Sequence, residues 1–163
     1  MRPQHLLVLA TGLLSFGCGS PQAPAFEVFS VDGKETYTND TYKGKVVMID
    51  YWETWCGPCR QIQPSLHEMA DHYATRGLVV LGVTGEAPKT VVDFVKHSPL
   101  GYPAVLDRGD RVARMFHVQA FPTLIIINRD GSVAYNASPQ TMDEIAAILD
   151  RLMPGSEGPK AQS

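Results

Sequence analysis

The chain has 163 residues, 44% of them apolar and 19% charged, which describes a globular protein of one domain with terminal extras and excludes wholesale disorder. Seventeen acidic residues against 14 basic ones leave a net charge of -3, with no cluster of lysine or arginine. Nucleic acid is thereby excluded as an expected partner, because phosphate binding draws on a concentrated basic face.

The first residues stand apart from the fold. Met1 and Arg2 make a short basic start, and the apolar stretch 6–16 is too short to span a bilayer, so residues 1–17 read as a secretory signal. It ends at Ser15-Phe16-Gly17-Cys18, which resembles the signal of bacterial lipoproteins. The resemblance implies a lipid on Cys18 and a location in the periplasm or on the outer face of a bacterial membrane. The alternative is plain cleavage, leaving Cys18 a free thiol or removing it. Residues 18–25 are rich in Pro, Ser and Gly and read as a tether with nothing to bury. Residues 154–163 have similar composition and read as a flexible tail, which leaves 26–153 as the domain.

Within that domain, residues 26–38 alternate apolar and polar around Asp32-Gly33 and predict an N-terminal β-hairpin. The apolar, β-rich run 45–52 predicts a buried strand. Residues 59–76 place Ile62, Leu66, Met69, Ala70 and Tyr73 on one helical face, with Pro64 inside as an expected kink. A strand follows at 78–83, a helix at 89–98, a short strand at 102–107 and a helical turn or two at 111–118. Residues 123–128 predict a strand that turns through 129–132 into 133–136. The chain closes with an amphipathic helix at 141–153, its Ile145, Ile148, Leu149 and Leu152 on one side. This order implies an α/β fold with a central mixed sheet and helices on both faces.

Cys56-Gly57-Pro58-Cys59 lies between the first buried strand and the first long helix. A passive staple across so short a loop would constrain the unfolded chain least. Zinc would want further ligands, yet no second such pair exists, and His67 and His72 do not share a helical face. Arg60 follows Cys59 where c-type haem attachment needs histidine. Redox activity is the reading left. If the helix begins at this turn, Cys56 meets unpaired backbone N–H groups that favour its thiolate, and Pro58 suits the first turn. Cys56 is then the nucleophile and Cys59 the resolving thiol. No metal and no cofactor are expected.

Trp55-Cys56-Gly57-Pro58-Cys59 after an apolar strand, a helix containing proline, and Phe121-Pro122-Thr123 before a strand together resemble the thioredoxin fold. The N-terminal hairpin, the additional helix and strand between 81 and 115, and the export signal resemble its membrane-tethered TlpA-like and ResA-like branch. The resemblance implies a cis peptide at Pro122, packed beside the redox pair. It implies a docking surface for partner proteins made of Trp55, Gly57, Pro58, Phe121 and Pro122, and it matches Asp50 to the buried acid that exchanges protons with the second cysteine. That acid often has a lysine beside it, but Gly82 occupies the corresponding place here. Asp50 also reads, without the resemblance, as a strand-end aspartate that reaches solvent or an amide. The loop after the last strand carries 135–140 in place of the family's usual glycine. Trp52 reads as core, and His97 and His117 as isolated helix histidines.

The expected function is an exported, monomeric thiol-disulfide oxidoreductase, a reductase by its Gly-Pro dipeptide. Its expected partners are cysteine-containing exported proteins, for example in cytochrome c maturation, with a membrane protein as electron donor. Two alternatives stand beside it. A thiol peroxidase would want a proline-led loop before the cysteine, absent from 45–55. A copper chaperone would want a histidine or methionine aimed at the pair.

Overall fold

The computed structural model describes residues 20–155; the expected signal at 1–17, Cys18 and the residues beyond 155 lie outside the described residues. β3 (Val46–Tyr51), all six residues buried, runs through the middle of a seven-stranded sheet. Around it lie β1 (Glu27–Ser30), β2 (Thr36–Thr38), β4 (Leu78–Thr84), β5 (Ala104–Leu106), β6 (Thr123–Ile127) and β7 (Val133–Ala137), in the order β2-β1-β5-β4-β3-β6-β7. β3 is parallel to β4 and antiparallel to β6, which makes the sheet mixed, as expected.

Successive β3 side chains enter opposite layers, because a strand alternates its faces. Val46 and Met48 join Leu66, Met69 and Tyr73 of α1 (Gly57–Ala74) and Ile145 and Leu149 of α4 (Met142–Leu152). Val47, Ile49 and Tyr51 join Val112 and Phe116, in and just after the short α3 (Arg111–Met115). A third cluster sets Trp52 and both cysteines of the pair against Val91 of α2 (Pro88–His97), Leu100 and Leu106. α4 begins where its sequence directs: the Thr141 hydroxyl accepts the Glu144 N–H at 3.1 Å.

Differences from expectation have local causes. α1 starts at Gly57, before the periodic face begins, because the turn carrying Gly57 and Pro58 holds no apolar spacing to mark it. It contains Pro64 and ends at Ala74, two residues short of the expected end. α3 is shorter than 111–118: His117 has φ 54, a left-handed conformation that ends the helix, so this histidine lies beyond it. The stretch read as a tether with nothing to bury makes backbone hydrogen bonds from Pro21 onward. Ala23 N–H donates to Gly131 O and Val133 N–H to Pro21 O, each at 2.8 Å, with Gln22 bridged to Ser132. The chain therefore enters beside the β6–β7 turn, at the opposite end of the sheet from the start of β6, where Thr123 pairs with Tyr51. Among the described residues, no helix is long and apolar enough to cross a membrane.

Candidate active site

β3 ends at Tyr51, and five residues later Cys56 opens α1 as its N-cap. Cys56 and Cys59 are joined as a disulfide. The Cys59 backbone N–H donates to Cys56 Sγ at 3.1 Å, so this sulfur occupies the place of an N-cap acceptor, at the positive end of the helix. Cys59 has no exposed surface and Cys56 only 3%. The approach to the sulfurs is marked by Trp55, which is 68% exposed, and by exposed Pro58 and half-buried Gly57.

Trp55 meets the Phe121 ring edge-on at 5.6 Å, and Phe121 stacks on Tyr51 at 6.0 Å. The Phe121–Pro122 peptide is cis. Two hydroxyls brace this turn: Thr123 Oγ1 donates to Ala120 O at 2.8 Å and Ser138 Oγ to Pro122 O at 2.7 Å. The loop after β7 thus reaches the site through Ser138. Trp52, in contrast to Trp55, is fully buried.

Asp50 has no exposed surface, and its oxygens meet a phenol and no amide, which rules out the reading of a strand-end aspartate that reaches solvent or an amide. It lies between Gly82 of β4 and Leu124 of β6. The Tyr102 hydroxyl donates to its Oδ2 at 2.9 Å, while Oδ1 has no protein partner. Burial raises its pKa from 3.8 to about 7, and the Tyr102 hydrogen bond opposes the rise. The net shift is upward even though that bond favours the anion, so desolvation prevails.

Gly82 shows why no lysine accompanies this acid. A Cβ there would lie 2.7 Å from Leu100 Cδ1, 3.0 Å from Trp52 Nε1 and 3.2 Å from Tyr102 Cε2. Leu100, Trp52 and Tyr102 already fill the space of a residue-82 side chain. Gly82→Ala should therefore destabilise the fold by about 1–3 kcal/mol, read as a lower urea midpoint at unchanged slope.

A second acidic group was missed from sequence. Glu53, only 8% exposed, accepts from the Thr84 hydroxyl at 3.1 Å, and its backbone O takes the Cys56 N–H at 3.0 Å. Glu86 takes both the N–H and the hydroxyl of Thr54, at 2.6 and 2.9 Å. Burial and a hydrogen bond to Glu86 push Glu53 up to about 7. Two acids thus fasten the turn before Cys56 to the end of β4. The available signal was an acid set just before the Trp-Cys motif, but nothing in the spacing pointed to Glu86. Among the described residues, no group of three or more His, Cys, Asp or Glu side chains is placed to hold a metal ion.

Sheet order and buried pair, taken with the relatives that follow, make this a thiol-disulfide oxidoreductase of thioredoxin fold. Residues 20–136 match the AhpC/TSA family, and the chain belongs to it. It is 30% identical over 135 residues to the thiol-disulfide oxidoreductase ResA of Bacillus thuringiensis subsp. konkukian, covering 82% of this chain and 78% of the relative. A Chlorobium tepidum structure named as the thiol:disulfide interchange protein DsbE aligns with a TM-score of 0.71 and 27% identity, over 80% of this chain and 97% of the other. The exposed lipoprotein thioredoxin Etrx1 of Streptococcus pneumoniae aligns with a TM-score of 0.70 and 26% identity, over 79% and 100%.

Proposed function

We propose that this thiol-disulfide oxidoreductase works outside the cytosol as a protein-disulfide reductase, held to a membrane by a lipid on Cys18. Its partners are exported proteins with cysteine pairs, such as those of cytochrome c maturation, and a membrane protein supplies its electrons. The carrying observation is the Cys59 N–H directed at Cys56 Sγ, which stabilises a thiolate at the helix end once the pair is reduced. In the first step the Cys56 thiolate attacks one sulfur of a partner's disulfide. A new S–S bond joins Cys56 to the partner, whose other sulfur leaves with the electron pair. Cys59 gives up its proton and attacks Cys56 Sγ, closing the internal disulfide and releasing the second partner thiolate. Two electrons have then passed to the partner, and the donor restores the dithiol.

Asp50 is the acceptor for the Cys59 proton in this scheme, because a buried carboxyl titrating near neutrality can both take and return it. Trp55, Gly57 and Pro58 offer the docking patch, with Phe121 and Pro122 beside it. The entry of the chain at the far end of the sheet supports the tethered reading, since an anchor there leaves the sulfurs facing away from the membrane. Equilibrating the Cys56–Cys59 couple against a dithiol buffer tests the direction. A potential near the thioredoxin value, about -270 mV, is expected, and one near about -120 mV would make the protein an oxidant.

A further inference from the structure

Tyr102 is a polar side chain that touches both parts of the site. Its hydroxyl donates to Asp50 Oδ2, and its ring packs against the cluster that holds Cys56, Cys59, Trp52 and Leu100. The loop carrying it is fixed from the other side. Gly101 has φ +81, and a Cβ on it would fall within 2.3–2.4 Å of the His67 ring, so the loop lies directly against α1. Tyr102 also lines an open cavity with Val31, Val95, Pro99, Leu100 and Pro103, and so stands between buried acid and surface.

We propose that Tyr102 is a positioning residue for thiol-disulfide exchange: its hydroxyl holds Oδ2 of Asp50 and leaves Oδ1 as the oxygen that takes the proton of Cys59. The inference rests on the reductase mechanism above and adds the group that governs its acid. When Cys59 attacks the mixed disulfide, its proton passes to Asp50 Oδ1, the Cys59–Cys56 bond forms, and the partner sulfur leaves as a thiolate. The proton on Asp50 then returns to water, and no oxidant or reductant beyond the partner and the dithiol is required. Tyr102 fills the place a lysine would take, with a different consequence. A phenol is a neutral donor, so it orients the carboxyl without fixing it as an anion.

The groups facing Asp50 are few. β4 presents Gly82, β6 presents Leu124, and the loop after α2 presents Tyr102; the cysteine pair, in the cluster against which Tyr102 packs, carries titratable thiols only once its disulfide is reduced. Burial and the Tyr102 bond are the influences that set its titration.

The test is Tyr102→Phe, which keeps the ring and removes the hydrogen bond. Carbon-13 NMR of the Asp50 carboxyl in the oxidised full-length protein should show its midpoint rising by about one pH unit. In the reduced protein, the pH profile for release of partner from the mixed disulfide should move up by the same amount. An unmoved midpoint overturns the proposal, as does a moved midpoint with an unmoved profile. In an Asp50→Asn background the Tyr102→Phe change should leave the profile unaltered; a shift there would assign the effect to packing and overturn it as well. The NMR midpoint needs no turnover. If the wild-type chain released no partner at all, the reductase reading would fail while the Asp50–Tyr102 coupling was still measured, which separates the two failures.

Discussion

Cys59→Ser should arrest the protein as a covalent complex. Presented with a disulfide-bearing protein after reduction, the variant should accumulate one equivalent of mixed disulfide on Cys56, visible by non-reducing electrophoresis and intact mass. Multiple turnover should be abolished. Cys56→Ser should lose turnover equally and trap nothing. The asymmetry follows from placement. Cys56 Sγ sits at the helix N-terminus, where the Cys59 N–H points at it, and next to exposed Trp55. Cys59 Sγ is one turn deeper with no exposed surface, so it can reach only a sulfur already bound to Cys56. A thiolate is the attacking species, and a serine hydroxyl at either position stays protonated at neutral pH. The free Cys56 thiol of Cys59→Ser should titrate below the ordinary thiol value of about 8.5, because the helix end favours its anion. Trapping on Cys59 in the Cys56→Ser variant would reverse the assignment of nucleophile and resolver.

Much of this arrangement was legible because it is written in local spacing. β3 shows itself as an unbroken apolar run, and Asp50 stands out within it because an acid there is costly without a role. The amphipathic repeats of α1 and α4 mark their buried faces. What stayed hidden is nonlocal. Tyr102 reaches Asp50 across 52 positions, Glu86 reaches Thr54 across 32, and Ser138 reaches Pro122 across 16. Each comes from a loop with no periodicity of its own, and each becomes meaningful only when sheet order brings the strand ends together. Gly82 is the instructive intermediate. The sequence shows that no lysine stands there, but only packing shows that Leu100, Trp52 and Tyr102 have taken its space. The attachment of Pro21–Ala23 to the β6–β7 turn was illegible for another reason: composition reports that a segment lacks apolar residues, not that its backbone groups find a strand edge.

Asp50→Asn should make the protein more stable and a slower catalyst at the same time. In the folded chain Asp50 titrates near 7, against 3.8 when unfolded, so between those values the folded state holds the extra proton. Stability from this group is fully present below about pH 4 and is lost progressively as pH rises to about 7. Above that, the folded protein carries a buried carboxylate at a cost of about 4 kcal/mol. Asparagine never ionises. It can keep the Tyr102 bond through its side-chain carbonyl but adds an amide N–H pair that needs partners, which takes back roughly 1 kcal/mol. At pH 8 the variant should therefore unfold in urea about 2–3 kcal/mol later than the wild type, and near pH 4 the gain should vanish. Glu53 titrates in the same window, but it is present in both proteins, so the difference between the two curves isolates Asp50. Turnover should move the opposite way. Without a carboxylate to take its proton, Cys59 must lose it to solvent, and loss of a positioned general base costs roughly a hundredfold or more. The deficit should appear in release of the mixed disulfide, not in its formation, because Cys56 draws its reactivity from the helix end. A variant equally stable at pH 4 and pH 8 relative to wild type would show that Asp50 is not buried as an anion, and the proton route through it would fall with that result.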